Sequence, residues 1–300
     1  MGRIAYHRLP TEQENPRSRS LDRLSAQEIV GLMNREDRRV LSGIYRVRSR
    51  IARGVELITA ALKDGGRLFF VGAGTSGRLG VLEAAECPPT FGTPRSLIRA
   101  IMAGGRGAVF HSREGAEDRE REAREAVRTM ARPGDVLVGV AASGVTPFVR
   151  AALAEARRRK ARTILLAMNS RSRLGGRVDL LIGPWVGPEL LTGSTRLKAG
   201  SATKMILNML TTASMAQLGK VYRNRMVDLR PTSRKLRARA VRLIQELGGA
   251  SEPRARRLLQ AAGGEAKVAI LMAKKKLGAR GARRRLAAAG GSLRQALKGP

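Results

Sequence analysis

At 300 residues, 43% of them hydrophobic, the chain can bury a sizeable core in one large domain or in a main domain with a small appendage. One cysteine excludes an internal disulfide, and with only two histidines it argues against a structural zinc site. The 58 Lys and Arg against 24 acidic residues leave a charge of +34, which raises a polyanion as partner, yet 3% aromatics offer few platforms for stacking bases.

Residues 1–20 are polar and contain prolines, the composition of an arm laid over another surface. The first ten residues hold no apolar leader core and no run approaches the ~18 apolar residues of a membrane span, so a soluble cytoplasmic protein is expected. Ser25-Ala26-Gln27-Glu28 is a capping-box pattern that opens a short helix reaching Asn34. A longer helix is expected next, because Val40, Leu41, Ile44, Val47, Ile51, Val55, Ile58 and Leu62 recur mostly at threes and fours until Asp64-Gly65-Gly66 stops it.

From Gly66 onward strands alternate with helices. Strands are predicted at Leu68–Val71, Leu97–Met102, Val136–Ala141, Thr163–Met168 and Leu180–Ile182, and helices at 77–86, 116–130, 146–159 and 198–219. The alternation predicts an α/β fold with a doubly wound five-stranded parallel sheet, whose ligand sits beyond the carboxyl ends of the strands. After Gly248-Gly249 the composition shifts to Ala, Arg, Gly and Leu. Short helices at Ala255–Ala262, Glu265–Lys276 and Ala282–Ala288 then suggest a small helical C-terminal domain, since pieces this short need packing to stand. The expected division is 1–64 for the arm and first helices, 65–248 for the sheet domain and 249–300 for the helical one. Residues 251–300 carry 13 Lys or Arg against 2 Glu, either a solvated basic face or a surface for non-specific polyanion binding.

The stretch Gly72-Ala73-Gly74-Thr75-Ser76-Gly77-Arg78-Leu79-Gly80 joins the first predicted strand to a helix. Glycines there let the backbone approach a ligand and aim helix N-terminal amides at an anion; the alternative is a tight turn whose glycines serve packing alone. A P-loop would place Lys after the last glycine, where Arg78 stands, and the acidic residue of a dinucleotide site is not clearly placed, so a smaller phosphorylated ligand is preferred. Ala141-Ala142-Ser143-Gly144-Val145-Thr146-Pro147 presents a second Ser-Gly turn, and Thr192-Gly193-Ser194-Thr195-Arg196 a third hydroxyl-rich loop. Singly, each is as well read as a capped helix start. Together they describe a phosphate cradle of mostly neutral donors.

With Thr11-Glu12-Gln13, Asn34-Arg35-Glu36-Asp37, Ala85-Glu86-Cys87-Pro88-Pro89-Thr90, Ala103-Gly104-Gly105, Glu114-Gly115-Ala116-Glu117-Asp118 and Asn224-x-Met226-Val227-Asp228, these blocks resemble the N-acetylmuramic acid 6-phosphate etherases of the sugar isomerase (SIS) superfamily. The resemblance spans nearly the whole chain. It implies a lyase acting without metal or organic cofactor, as a homodimer, in cell-wall amino sugar recycling. Such an enzyme cleaves the D-lactyl ether of N-acetylmuramic acid 6-phosphate to N-acetylglucosamine 6-phosphate and D-lactate.

It also implies that Glu86 and Glu117 are catalytic, with Glu117 as base at C2 and Glu86 as acid at the lactyl oxygen, or the reverse. Ser76, Ser143 and Thr146 would bind phosphate, with Thr75 and Ser194 or Thr195 near the sugar. Without the resemblance, Glu117 reads as a helix-start residue and Glu86 as a helix-end charge, with Glu83 and Glu114 as rivals. Cys87 has no neighbouring His and reads as a buried, inert thiol, and nothing assigns His111 a task. The high charge, the Arg-rich tail beyond Gly278 and Ser233, where the family pattern favours Asn, are departures from the family. The competing readings are a non-catalytic sugar-phosphate-binding regulatory protein, a SIS-domain transcription regulator and an aldose–ketose isomerase. The first could dispense with the carboxylates, the second needs a helix-turn-helix that residues 21–63 do not suggest, and the third would release no lactate.

Overall fold

The capping box at Ser25 forms as the sequence predicts. Ser25 Oγ accepts a hydrogen bond from the Glu28 amide, and the Glu28 carboxylate accepts one from Ser25 N at 2.8 Å. The helix it opens, α1 (Ala26–Arg46), does not stop near Asn34: no Gly or Pro interrupts residues 32–42, so it continues to the corner at Val47, where φ −106° and ψ 13° leave the helical region. Helix α2 (Arg48–Lys63) follows at once. The computed structural model describes residues 7, 9–170, 172, 175–229, 231 and 233–298.

The chain then alternates through β1 (Leu68–Gly72), α3 (Gly74–Phe91), β2 (Ile98–Met102), α4 (Gly107–Phe110), α5 (Glu120–Met130), β3 (Val136–Val140), α6 (Pro147–Arg158), β4 (Arg162–Leu166), β5 (Leu180–Ile182) and α7 (Lys198–Gln217). All five strands are parallel, in the order β2-β1-β3-β4-β5. Strands β1 and β3 are buried at every residue, as a parallel sheet covered on both faces requires. On one face Phe69, Leu137 and Leu165 pack with Val127 of α5 and Val149 and Leu153 of α6.

The chain leaves β1 toward β2 on one side and leaves β3 toward β4 on the other. The loops after these adjacent strands therefore diverge, and a crevice opens between them at the carboxyl edge of the sheet. Helix α3 outruns its expected end at Glu86 and carries Pro88 and Pro89 inside it. Proline keeps a helical φ, so the turn persists while the bonds those two amides would make to Ala84 and Ala85 are lost.

Two compact units result, one of the residues up to Ala85 with Arg95–Thr211, the other of Glu86–Pro94 with Thr212 onward. The second unit contains a short hairpin, β6 (Val221–Tyr222) and β7 (Arg225–Met226), followed by α8 (Arg234–Gly248), α9 (Glu252–Ala261), α10 (Ala266–Lys275), α11 (Ala279–Ala288) and α12 (Leu293–Lys298). Val241, Ile244, Leu259, Ile270, Leu271 and Leu293 form its core. Ser233, the departure from the family pattern, caps α8 by accepting from Leu236 N at 3.2 Å. Lys267 is buried and donates to the Gly219 and Gly291 carbonyls at 3.1 and 2.7 Å, tying two chain reversals together. Burial lowers its pKa, against the pull of Asp228 3.2 Å away. No helix among the described residues is long and apolar enough to cross a membrane.

Candidate functional site

The turn after β1 brings helix and strand into close backbone contact. A Cβ at Gly77 would lie 2.3 Å from Met102 Sδ and 2.5 Å from Gly72 O, so glycine is required for α3 to start where it does. Packing is thus one purpose of the glycines, and the other follows from it. The first helical bond runs from Gly77 N to Ala73 O, which leaves the amides of Gly74, Thr75 and Ser76 ahead of the ladder.

The turn after β3 is braced from behind. Gly144 takes φ +74° and bonds its N–H to Ala141 O at 2.8 Å, while Ser172 Oγ donates to Gly144 O at 2.7 Å. Asn169 Nδ2 donates to Ser143 O at 3.3 Å, and Ser143 Oγ accepts from Val145 N at 3.3 Å. Helix α6 begins with Pro147 directly after Thr146, a residue suited to that first position.

A cavity of about 310 Å³ fills the crevice between these two turns. Thr75, Ser76, Glu117, Ser143, Thr146 and Thr195 all line it. Five predicted hydroxyl residues and one predicted carboxylate therefore meet at the switch point of the sheet. Ser194 is half-buried beside Thr195 and outside the lining. Glu86 is exposed on α3 and also outside it. A larger hollow of about 600 Å³ lies at the amino ends of the strands, against Gly134, Arg162 and Asp179, where the sheet has no divergent loops.

The rival carboxylates separate. Glu83 is 5% exposed and committed to α7, accepting from Thr211 Oγ1 at 2.5 Å and facing Lys204 Nζ at 3.4 Å. Glu114 lines a second cavity of about 180 Å³ that shares Ala73, Gly74 and Glu117 with the first. Cys87 is buried. Among the described residues no three His, Cys, Asp or Glu side chains are grouped to hold a metal ion.

The sequence suggested an arm laid over another surface but not that the surface is the wall of this cavity. Leu9, Thr11 and Glu12 line the cavity together with Asp118, and Thr11 O accepts from Gly193 N at 3.1 Å, joining the arm to the third loop. The arm is pinned a few residues further on. Glu36, 1% exposed, accepts from Asn15 Nδ2 at 2.9 Å, Arg17 Nη1 at 2.8 Å and Lys198 Nζ at 2.6 Å. Burial alone would raise the Glu36 carboxyl, but the bonds from Lys198, Asn15 and Arg17 outweigh it and hold the pKa at about 2.

Glu189, also buried, caps α7 by accepting from Lys198 N at 3.0 Å and Ala199 N at 2.8 Å. Burial raises its pKa in spite of those bonds. The sequence signal for this arrangement was slight: Glu36 stands in one of the family-like blocks.

A model of the glucokinase regulatory protein N-terminal SIS domain matches residues 50–157. An N-acetylmuramic acid 6-phosphate etherase of Symbiobacterium thermophilum is 48% identical over 268 residues, covering 89% of each chain. One from Synechocystis is 47% identical over 290 residues, 96% of this chain and 95% of that protein. A Bacteroides fragilis structure assigned to the phosphosugar isomerases superposes with TM-score 0.50 at 18% identity, over 66% of this chain and 93% of the other, a likeness of fold.

Proposed function

Because the chain belongs to the N-acetylmuramic acid 6-phosphate etherase family, we propose that its crevice cleaves the D-lactyl ether of N-acetylmuramic acid 6-phosphate, yielding N-acetylglucosamine 6-phosphate and D-lactate. The observation that carries the proposal is the meeting of Glu117 with Ser76, Ser143 and Thr146 around one cavity at the switch point of an SIS-type sheet.

An ether oxygen is a poor leaving group from an ordinary carbon. With the sugar ring open, however, C3 lies β to the C1 aldehyde and the C2 proton becomes acidic. Removal of that proton allows the C3–O bond to break with release of lactate, and water then adds back at C3, which makes the first half of the reaction a lyase step. Ser76, Ser143 and Thr146, with the open amides at the start of α3, hold the phosphate by neutral donors; Thr75 and, of the pair Ser194 and Thr195, Thr195 contact the sugar. Glu117 takes the C2 proton, and Glu86 gives a proton to the departing oxygen.

Glu86 is exposed, so we assign its contribution to a homodimer in which one copy's Glu86 reaches the other's crevice. Glu86→Gln and Glu117→Gln chains, each inactive alone, should regain roughly a quarter of wild-type activity when mixed, since half the dimers are mixed and half of their sites intact. Mixtures that stay inactive would put both carboxylates in one chain's own site, and a Glu86→Gln chain active by itself would remove Glu86 from the reaction.

The regulatory reading draws on the SIS-domain match over 50–157, which is shared by the etherase reading, whereas the etherase relatives extend over 89% or more of the chain. Purified protein incubated with N-acetylmuramic acid 6-phosphate should release D-lactate. Tight binding without release would favour the regulator.

A further inference from the structure

We infer, resting on the etherase reading, that the smaller cavity beside the phosphate cradle receives the lactyl carboxylate and that Arg78 and Arg113 hold it. The substrate is anionic at both ends, with phosphate on C6 and a carboxylate on the group leaving C3. The reacting carbons lie between the two. The protein has a matching arrangement, two adjoining cavities that share Ala73, Gly74 and Glu117 as a common wall. A substrate with its phosphate in the larger cavity and its lactyl group in the smaller brings C2 and C3 to that wall, within the domain of the carboxylate that takes the proton.

The two linings differ in charge. Glu12, Glu117 and Asp118 line the larger cavity with no Lys or Arg among its lining residues, so it offers a carboxylate no cation. The smaller is lined by Arg78 and Arg113, with Ser112 adding a hydroxyl, Glu114 an opposing charge on its own side and Glu117 one on the shared wall. Arg78 is fixed by its own Nε, which donates to Val109 O at 2.9 Å and leaves both Nη groups to fork onto a ligand.

Arg113 lies across the turn before α4, in room that two glycines leave. A Cβ at Gly107 would stand 2.6 Å from its Nη2, and one at Gly104, where φ is +77°, would stand 3.1 Å from its Cδ. Among the described residues neither guanidinium takes part in an ion pair, although many arginines of this chain do. Two oriented guanidiniums without an anion, opening on the wall that carries the base, suit a small carboxylate. They would orient the leaving group and separate substrate from the sugar phosphate that remains after lactate has gone.

The test compares wild type, Arg113→Ala and Arg78→Lys. It uses three ligands: N-acetylmuramic acid 6-phosphate, its lactyl amide, and N-acetylglucosamine 6-phosphate as inhibitor. Arg113 is exposed, so its removal leaves the fold intact, and Arg78→Lys keeps the charge while losing the fork. For each variant KM for the acid should rise about 10- to 100-fold, the loss of a charge-assisted bond, while inhibition by N-acetylglucosamine 6-phosphate changes less than about twofold. The amide should be a poor substrate for wild type by a similar factor and insensitive to Arg113→Ala. Equal weakening of the inhibitor would mean that the arginines grip phosphate, and equal use of acid and amide by wild type would mean that no carboxylate is read; either overturns the inference while leaving the etherase reading in place. Absence of lactate from folded wild type would overturn the etherase reading itself and this inference with it.

Discussion

Exchanging Glu36 for Gln removes the charge to which the N-terminal arm is tied. Glu36 is 1% exposed and its closest partner, Lys198 at 2.6 Å, is 2% exposed, so the variant leaves a buried ammonium without its salt-bridge partner. Breaking one side of a buried pair costs about 3–5 kcal/mol, equivalent to a fall of roughly 6–15 °C in the unfolding midpoint of a domain this large.

The pH dependence is a second readout. The Glu36 pKa is about 2 in the folded state, below the roughly 4.3 of an unfolded Glu. The unfolded chain therefore binds the extra proton first as pH falls, and the stabilisation, full above about pH 5, is lost on the way down to pH 2, about 3 kcal/mol in all. Glu189, whose carboxyl burial raises, titrates with the opposite sign and partly offsets this slope. Thermal melts followed by circular dichroism at pH 7, 5, 4 and 3 should show Glu36→Gln melting well below wild type at pH 7, with the gap closing toward pH 3. KM should rise as well, because the arm carries Thr11 and Glu12 to the cavity. A midpoint within about 2 °C of wild type at pH 7, with the same acid slope, would show that this carboxylate does not hold the arm.

Gly77→Ala should be among the most damaging single-methyl additions in the chain, costing several kcal/mol, since its Cβ meets the Gly72 carbonyl at 2.5 Å; chemical denaturation would read this as a lowered midpoint with an unchanged slope. Ser143→Ala should raise KM about tenfold with little change in kcat, the mark of a phosphate contact made alike in ground and transition states. Asp228→Ala should destabilise the helical unit by about 1–3 kcal/mol, because it removes the carboxylate facing Lys220 at 2.6 Å and buried Lys267 at 3.2 Å.

The sheet was legible because each strand is a short apolar run closed by glycine or by a hydroxyl-rich turn, and all five fall within two residues of where periodicity puts them. The corner at Val47 was not, since it is made without glycine or proline and leaves the apolar spacing of α1 and α2 almost unbroken. Helix α8 escaped notice because its apolar stripe, Ala240, Val241, Ile244 and Leu247, is interleaved with five basic residues from Arg234 to Arg242.

Three hydroxyl loops could be read from their Ser-Gly and Thr-Gly patterns, and topology alone then brought them together. The arm could not be read in that way. Asn15 is placed by Glu36 and by the Pro188 carbonyl, 173 residues away, and no local pattern encodes a contact of that range. The same limit hid Glu12, Asp118 and the paired arginines, which look like ordinary surface charges until the fold assembles the walls of two cavities.

The central claim is that Glu117 starts a β-elimination across C2 and C3. Turnover of N-acetylmuramic acid 6-phosphate in ¹⁸O-water, analysed by mass spectrometry, tests it most directly. Heavy oxygen should enter C3 of N-acetylglucosamine 6-phosphate and be absent from D-lactate, and Glu117→Gln should abolish both lactate release and exchange of the C2 hydrogen with solvent. Heavy oxygen in lactate, or C2 exchange undiminished in Glu117→Gln, would contradict it.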